Sequence, residues 1–396
     1  MPVAGVEHGR APAPAAETLC PHFGSCGGCA AQDKAPADYR AWKRGFAEAA
    51  LRRAGLGAEI ADLVGVPPAS RRRARFFASR TDRGLVLGFR ARGSHDVVDM
   101  TVCRVLEPAL FALTGELRAF FEETLAPGQA AEAEAQVVGG ALDLLIRAPA
   151  ALDLPIREAL TAFARDAGIA RLSYQAERPA PAGRGRNPRA RRRGAGGEAP
   201  RAPEVIVQFS PVTARFGDAA VALPPLAFLQ ASAAGEAALV AQVLEAVSGV
   251  PRGGRVADLY CGAGTFTFPL ARQWRVVGYD GDEALIEALN AAARASGRGA
   301  AVTAEARNLA RRPLWGPELA AFDAVVLDPP RAGARAQAEA LAGSSVSTVV
   351  MVSCDPASFA RDGKILADGG FAPGPVTLVD QFVWTRHLEL VAAFCR

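Results

Sequence analysis

Asp258-Leu259-Tyr260-Cys261-Gly262-Ala263-Gly264-Thr265-Phe266-Thr267 joins an apolar run, Arg255 to Tyr260, to a helical pattern that begins near Thr265. Glycines in a strand-to-helix turn let the backbone pass close to a ligand. Phe266 and Thr267 follow Gly264, so the full dinucleotide fingerprint is missing, and no Gly-Lys-Ser/Thr closes a phosphate-binding loop. A ligand without a phosphate fits better. Asp280 ends the next apolar run, where an acid is placed to bind two ribose hydroxyls. Together these features indicate S-adenosylmethionine, with Gly262, Gly264 and Asp280 at the cofactor.

Working outward, the chain after Glu236 alternates strand and helix: Val276 to Tyr279, Asp282 to Ser296, Ala324 to Leu327, Arg335 to Leu341, Thr348 to Val352, Pro356 to Ala367. That rhythm predicts an α/β fold, a Rossmann-like parallel sheet covered on both faces, over 236–396. Val376 to Val383 and Leu388 to Phe394 follow with no helix between them and are expected to form an edge hairpin. Residues 36–235 read as a central α+β domain: a helix from Asp38 to Gly55, short strands between 71 and 99, a helix from Glu107 to Leu125, strands around Val137 to Arg147, and a helix near Ile156 to Ala167. Residues 1–35 form an N-terminal segment with a cysteine-rich loop. Residues 176–203 lapse into Ala, Pro, Gly and Arg, with Arg184, Arg186, Arg189 and Arg191 to Arg193, and are expected to be a disordered, solvated insertion lending accessory charge.

With 396 residues, half of them apolar and 22% charged, the chain is too long for one ordinary domain and too hydrophobic for disorder. No stretch reaches the roughly 18 apolar residues of a membrane span, and the start lacks a signal pattern. Seven cysteines, an odd number in a chain that can bury its own core, argue against a disulfide framework and for a reducing cytoplasm. Lys occurs only at 34, 43 and 364, so Arg carries nearly all the positive charge; this favours nucleic acid only slightly.

Asp328-Pro329-Pro330-Arg331 and Ser353-Cys354-Asp355-Pro356 each follow an apolar strand, on the rim where ligands bind in such sheets. A thiol there is wasted on an amine acceptor, which already has a lone pair. It is needed when the acceptor is a ring carbon: thiolate addition to C6 of uracil makes C5 a nucleophile able to take a methyl from a sulfonium. Cys354 is therefore the expected nucleophile. Glu389, in His387-Leu388-Glu389, is the expected base that removes the C5 proton; alternation should put His387 on the same face in an orienting role.

Cys20, Cys26 and Cys29 with the distant Cys103 suit a four-iron, four-sulfur cluster, [4Fe-4S], with Gly27-Gly28 allowing a tight loop. Zinc is the second choice, since its four-cysteine sites more often pair two Cys-x2-Cys units. Cys-x3-Cys-x2-Cys, which a radical enzyme would want, is absent. Cys261 and Cys395 are given no catalytic role.

Taken in order, Cys-Pro-His-Phe-Gly-Ser-Cys-Gly-Gly-Cys, Arg71 to Arg75, Gly88-Phe89-Arg90 with Ser94-His95, Cys103, Phe228-Leu229-Gln230, the loop at 258–267, Asp328 to Arg331, Ser353 to Pro356 and His387 to Glu389 resemble the RNA 5-methyluridine (uracil-C5) methyltransferases of bacterial ribosomal and transfer RNA. The resemblance implies the cluster at Cys20, Cys26, Cys29 and Cys103, the nucleophile Cys354 and the base Glu389. It also puts Gln230, Tyr260, Asp280, Asn308 and Asp328 at the methyl donor or the target base, and makes the central domain one for RNA recognition. RNA is the implied partner, 23S rRNA ahead of tRNA, with no membrane and a monomeric enzyme. Ser232 stands where the family usually has Asn, and Asp280 where Glu is commoner. Many relatives carry a small RNA-binding β-barrel ahead of the cluster, for which Met1 to Leu19 is too short; either RNA is recognised without it or the start of the chain is missing.

Three rivals are set against this reading. An amino-group methyltransferase would favour Asn-Pro-Pro-aromatic and have no use for Cys354, and a cytosine-C5 enzyme would carry its thiol in another motif. A non-catalytic iron-sulfur RNA-binding factor would need neither Cys354 nor Glu389.

Overall fold

The computed structural model describes residues 20–176 and 203–396. The Arg-rich run and Met1 to Leu19 lie outside these residues.

Helix α1 (Pro36–Ala54) starts on a proline and ends at Gly55 in the left-handed region, and leads into β1 (Ile60–Gly65). Then come β2 (Arg73–Thr81), β3 (Gly84–Arg90), β4 (Val97–Asp99), α2 (Pro108–Thr124), β5 (Ala130–Val138), β6 (Ala141–Ala148), α3 (Leu154–Asp166), β7 (Ile169–Ala176) and β8 (Glu204–Gln208). Strands β2 to β8 make one seven-stranded sheet in the order β4-β3-β2-β5-β6-β7-β8. Its apolar face, including Phe76, Leu144 and Leu172, packs on Leu110, Leu113 and Leu117 of α2 and Leu160 of α3.

A small hairpin, β9 (Thr213–Phe216) and β10 (Ala219–Ala222), precedes α4 (Ala233–Ala246). The rest is β11 (Arg255–Leu259), α5 (Thr267–Leu270), β12 (Arg275–Asp280), α6 (Glu283–Ala295), β13 (Val302–Ala306), α7 (Gly316–Leu319), β14 (Ala324–Leu327), α8 (Arg335–Ala342), β15 (Thr348–Ser353), α9 (Pro356–Asp368), β16 (Ala372–Pro373), β17 (Val376–Asp380) and β18 (Glu389–Cys395). The second sheet runs β1-β17-β18-β15-β14-β11-β12-β13, with β16 paired to β18. Strands β11 to β15 are mutually parallel, and β18 runs antiparallel to both β15 and β17. Both faces are covered, which is why β14 is buried at every residue. Val256, Val326 and Val350 pack toward α4 and α6; Leu259, Leu327 and Met351 pack toward α1, α8 and α9.

Three expectations are corrected. The hairpin of β17 and β18 is not the sheet edge, because β1 adds in parallel outside β17 and pairs Ile60 with Val376. Helix α1 and β1, expected in the central domain from residue 36, join this sheet instead: β1 pairs with β17, and Ala47 and Leu51 of α1 bury in its core. The helix expected from Thr265 shrinks to one turn: Pro269 cannot donate back to Thr265, so it starts late, and the i−3 bonds of Arg272 and Gln273 then tighten and end it.

Candidate active site

Asp280 ends β12, and Tyr260, Asn308 and Asp328 follow β11, β13 and β14, so four adjacent parallel strands deliver the expected donor residues to one rim. Tyr260 sits in the left-handed region (φ 64°), a strain of about 1–2 kcal/mol for a residue with a Cβ. Its N–H and that of Cys261 both donate to Tyr279 O, at 2.8 and 3.1 Å, which holds the turn open. Gly264 has φ 100°, and a Cβ there would stand 2.7 Å from the Phe268 ring, so both backbone and space require glycine. Asp280 braces the loop, accepting from the N–H of Gly262 and of Asp282, each at 2.9 Å. Below the loop Asp258 is fully buried; it accepts from Thr267 Oγ1 at 2.6 Å, while its Oδ1 has no partner. Burial raises its carboxyl to about 7. No Lys or Arg lies within 258–267. A loop without Lys or Arg, braced by Asp280, suits a ligand bearing hydroxyls and positive charge better than a phosphate.

The reacting side is built by strand register. Ser353 of β15 pairs with Leu390 of β18, so Cys354 and Glu389 come next on facing strand ends. Glu389 is buried, and burial followed by the neighbouring Asp328 charge raises its carboxyl to about 8. Burial likewise raises Asp328 to about 7, against the hydrogen bond it accepts from Gln230 Nε2 at 3.2 Å. Cys354 is half-buried; burial and the charges of Glu389 and Asp328 push its thiol up to about 11, and Arg331 pulls the other way. His387 is not on the strand with Glu389. β18 begins only at Glu389, and His387 lies in the preceding loop, where its carbonyl accepts from Lys43 Nζ at 2.5 Å. Burial and surrounding cations, Arg331 first, lower its imidazole pKa.

Cys20, Cys26, Cys29 and Cys103 line one cavity of about 680 Å³, together with Arg71 and His387. The sulfurs accept N–H donors: Gly28 N to Cys26 Sγ and Gln32 Nε2 to Cys29 Sγ, each at 3.3 Å, and the Val105 and Leu106 N–H groups to Cys103. A Cβ on Gly28 would stand 3.4 Å from Cys26 Sγ, so the glycine leaves that sulfur its space. Burial raises Cys29 to about 12, and the other three thiols each add to the shift. Among the described residues, no three His, Cys, Asp or Glu side chains stand close enough to hold a single metal ion. The four thiols face the same cavity.

A family model described as tRNA (uracil-5-)-methyltransferase matches residues 299–394. An uncharacterized RNA methyltransferase of Brucella suis is 38% identical over 378 residues, 95% of this chain and 84% of that protein. A 23S rRNA (uracil(1939)-C(5))-methyltransferase of Chromohalobacter salexigens is 36% identical over 384 residues, 95% of this chain and 76% of that protein. The chain belongs to the RNA uracil-5-methyltransferase family. The solved tRNA (uracil-54, C5)-methyltransferase of Pyrococcus abyssi, in complex with S-adenosyl-L-homocysteine, shares its fold: TM-score 0.69 at 22% identity, over 95% of this chain and 86% of that one.

In this uracil-5-methyltransferase several residues around the site are missing from the sequence-derived set. Lys43 is wholly buried and donates to Asp380 Oδ1 at 2.6 Å and to Phe382 O at 3.1 Å, while Tyr39 donates to the other Asp380 oxygen at 2.5 Å. Ala30 N donates to Trp384 O at 2.6 Å, tying the cysteine loop to the segment before Glu389. Arg331, within Asp-Pro-Pro-Arg, adds a cation beside Cys354 that the motif alone does not reveal. The scarcity of lysine was the one available signal for Lys43; Gln381, beside Glu389, carried none.

Proposed function

We propose that this enzyme methylates C5 of one uridine in 23S rRNA, with Cys354 as nucleophile and Glu389 as base. The carrying observation is the register that brings Cys354 and Glu389 to facing strand ends beside Asp328 and Gln230. When bound, S-adenosylmethionine would supply an electrophilic methyl on a sulfonium; Tyr260, Gly262, Gly264, Asp280 and Asn308 would hold it, and Gln230 and Asp328 would meet the methyl donor or the target base. The Cys354 thiol gives its proton to solvent, Arg331 offsets the charge on sulfur, and Sγ bonds to C6. The electron pair displaced to C5 takes the methyl, and the donor departs as a thioether. Glu389 removes the C5 proton, the C6–S bond breaks, and the thiolate leaves and is reprotonated. The target base must be extruded for this, at roughly a few kcal/mol that RNA contacts offset.

The 23S assignment rests on the Chromohalobacter relative, similar over nearly the whole chain; a tRNA substrate is the second reading. Cys20, Cys26, Cys29 and Cys103, which line one cavity, would hold a [4Fe-4S] cluster; three local thiolates and one distant one suit it better than zinc, whose four-cysteine sites more often pair two Cys-x2-Cys units. Its part is to brace the RNA-facing loops, with no redox step in the methylation. The enzyme acts as a monomer in the cytoplasm, and the central domain, expected over 36–235 and here without α1 and β1, recognises RNA. No helix among the described residues is long and apolar enough to cross a membrane.

Incubation with 5-fluorouridine RNA tests the chemistry. Cys354→Ala should bind the donor yet form neither product nor covalent complex; a surviving complex removes Cys354 from the mechanism. Glu389→Gln with ordinary uridine RNA should accumulate a methylated covalent complex, and normal turnover would place the base elsewhere.

A further inference from the structure

Gln381 lies between β17 and β18 and is 3% exposed. Its Oε1 accepts the backbone N–H of Ala231 at 2.9 Å. A backbone amide can only donate, so this contact settles which end of the side-chain amide is which. The Nε2 end therefore donates to two acceptors, Gln230 Oε1 at 2.7 Å and Glu389 Oε1 at 2.9 Å. The polarity propagates. Gln230 spends its Oε1 on Gln381, so its own Nε2 is the end that donates to Asp328 Oδ2. One backbone N–H thus orients two side-chain amides, and each aims an N–H at one of the two acidic side chains beside Cys354.

Helix α4 leaves the room for this chain of bonds. A Cβ on Gly235 would stand 2.5 Å from Gln381 Cβ and 2.9 Å from its Oε1, closer than real atoms approach. Ser232, whose Oγ accepts the N–H of Gly235 at 3.0 Å, caps the same helix with a short side chain. The turn that follows Gln230 is shaped around Gln381.

Resting on the assignment of Glu389 as the base, we propose that Gln381 is a positioning residue for proton abstraction. By occupying Oε1 it leaves Oε2 as the oxygen that meets the C5 proton, and through Gln230 it keeps the base in register with the donor side. A donor on the carboxylate also favours its ionised form, opposing burial.

Single-turnover reactions with uridine RNA and saturating methyl-labelled donor separate the two steps. Gln381→Met keeps volume and flexibility but cannot donate. Gly235→Ala keeps every polar group and displaces the amide. Both variants should form the methylated covalent complex within about threefold of the wild-type rate. The complex should decay about 10- to 100-fold more slowly, with the pH midpoint of decay moved upward. Wild-type decay and midpoint in both variants overturn the proposal, as does equal slowing of both steps with an unmoved midpoint, the mark of a merely structural role. Glu389→Gln runs alongside. If it stalls while Gln381→Met and Gly235→Ala release normally, only the role of Gln381 falls; if it releases product normally, the base assignment falls and takes this role with it.

Discussion

Lys43 and Asp380, 337 positions apart in the chain, meet at 2.6 Å with almost no access to solvent. Burial pushes the Lys43 ammonium down and Asp380 pushes it back up. Lys43 also satisfies the carbonyls of Phe382 and His387, so one side chain from α1 anchors the segment that delivers Glu389.

Lys43→Met should therefore cost about 3–5 kcal/mol, because Asp380 is left as a buried, unpaired carboxylate. Thermal unfolding should show the loss, and adding Asp380→Asn should restore much of it. Two independent, additive losses would mean that the pair is not coupled.

The pH dependence of complex decay reports the base. Glu389 works as a carboxylate, and its pKa is raised to about 8, so decay should quicken as pH rises through that value and level off above it. Stability should move the other way. The folded protein holds protons on Glu389 and Asp328 that the unfolded chain has released, so stability present below about pH 4.5 is lost as pH rises toward 8. Chemical denaturation at pH 5.5 and 8 should show this loss in wild type and a smaller one in Glu389→Gln.

Anaerobically purified protein should be brown, with iron and sulfide near four each per chain. Cys26→Ala should lose the colour. Colourless, zinc-loaded protein with full activity would refute the cluster.

Mass-spectrometric mapping of rRNA and tRNA from a strain lacking this enzyme should show one 5-methyluridine missing from 23S rRNA and tRNA unchanged. The converse pattern makes the tRNA reading correct.

The parallel strands were legible in the sequence because each is a short apolar run ending in a turn, as Val325 to Leu327 is before Asp328. β13, Val-Thr-Ala-Glu-Ala, was not: it is the outermost strand on its side, half solvated, and carries little apolar signal. β1 was missed for a different reason. Its burial depends on β17, far along the chain, and periodicity within a segment cannot name a partner. Of the candidate site, the rim residues could be read from strand ends, since position after a parallel strand is a local property. Lys43 acts through contacts across more than three hundred residues, and Gln381, though Glu389 is eight positions on, is oriented by Ala231 and Gln230 far back in the chain, which its neighbours in sequence do not foreshadow.

The parallel pairing of β1 with β17 has a consequence for synthesis on the ribosome. Ile60 pairs with Val376, so β1 waits for its partner through roughly 300 residues, about 15–60 s at ordinary elongation rates. β18, the bridge between β17 and β15, comes later still. Helix α1 must keep the apolar face it shares with α9 exposed for the same interval. Nascent chains should accordingly be held by chaperones until β17 and β18 have emerged, and only then can the thiol and the carboxylate come together.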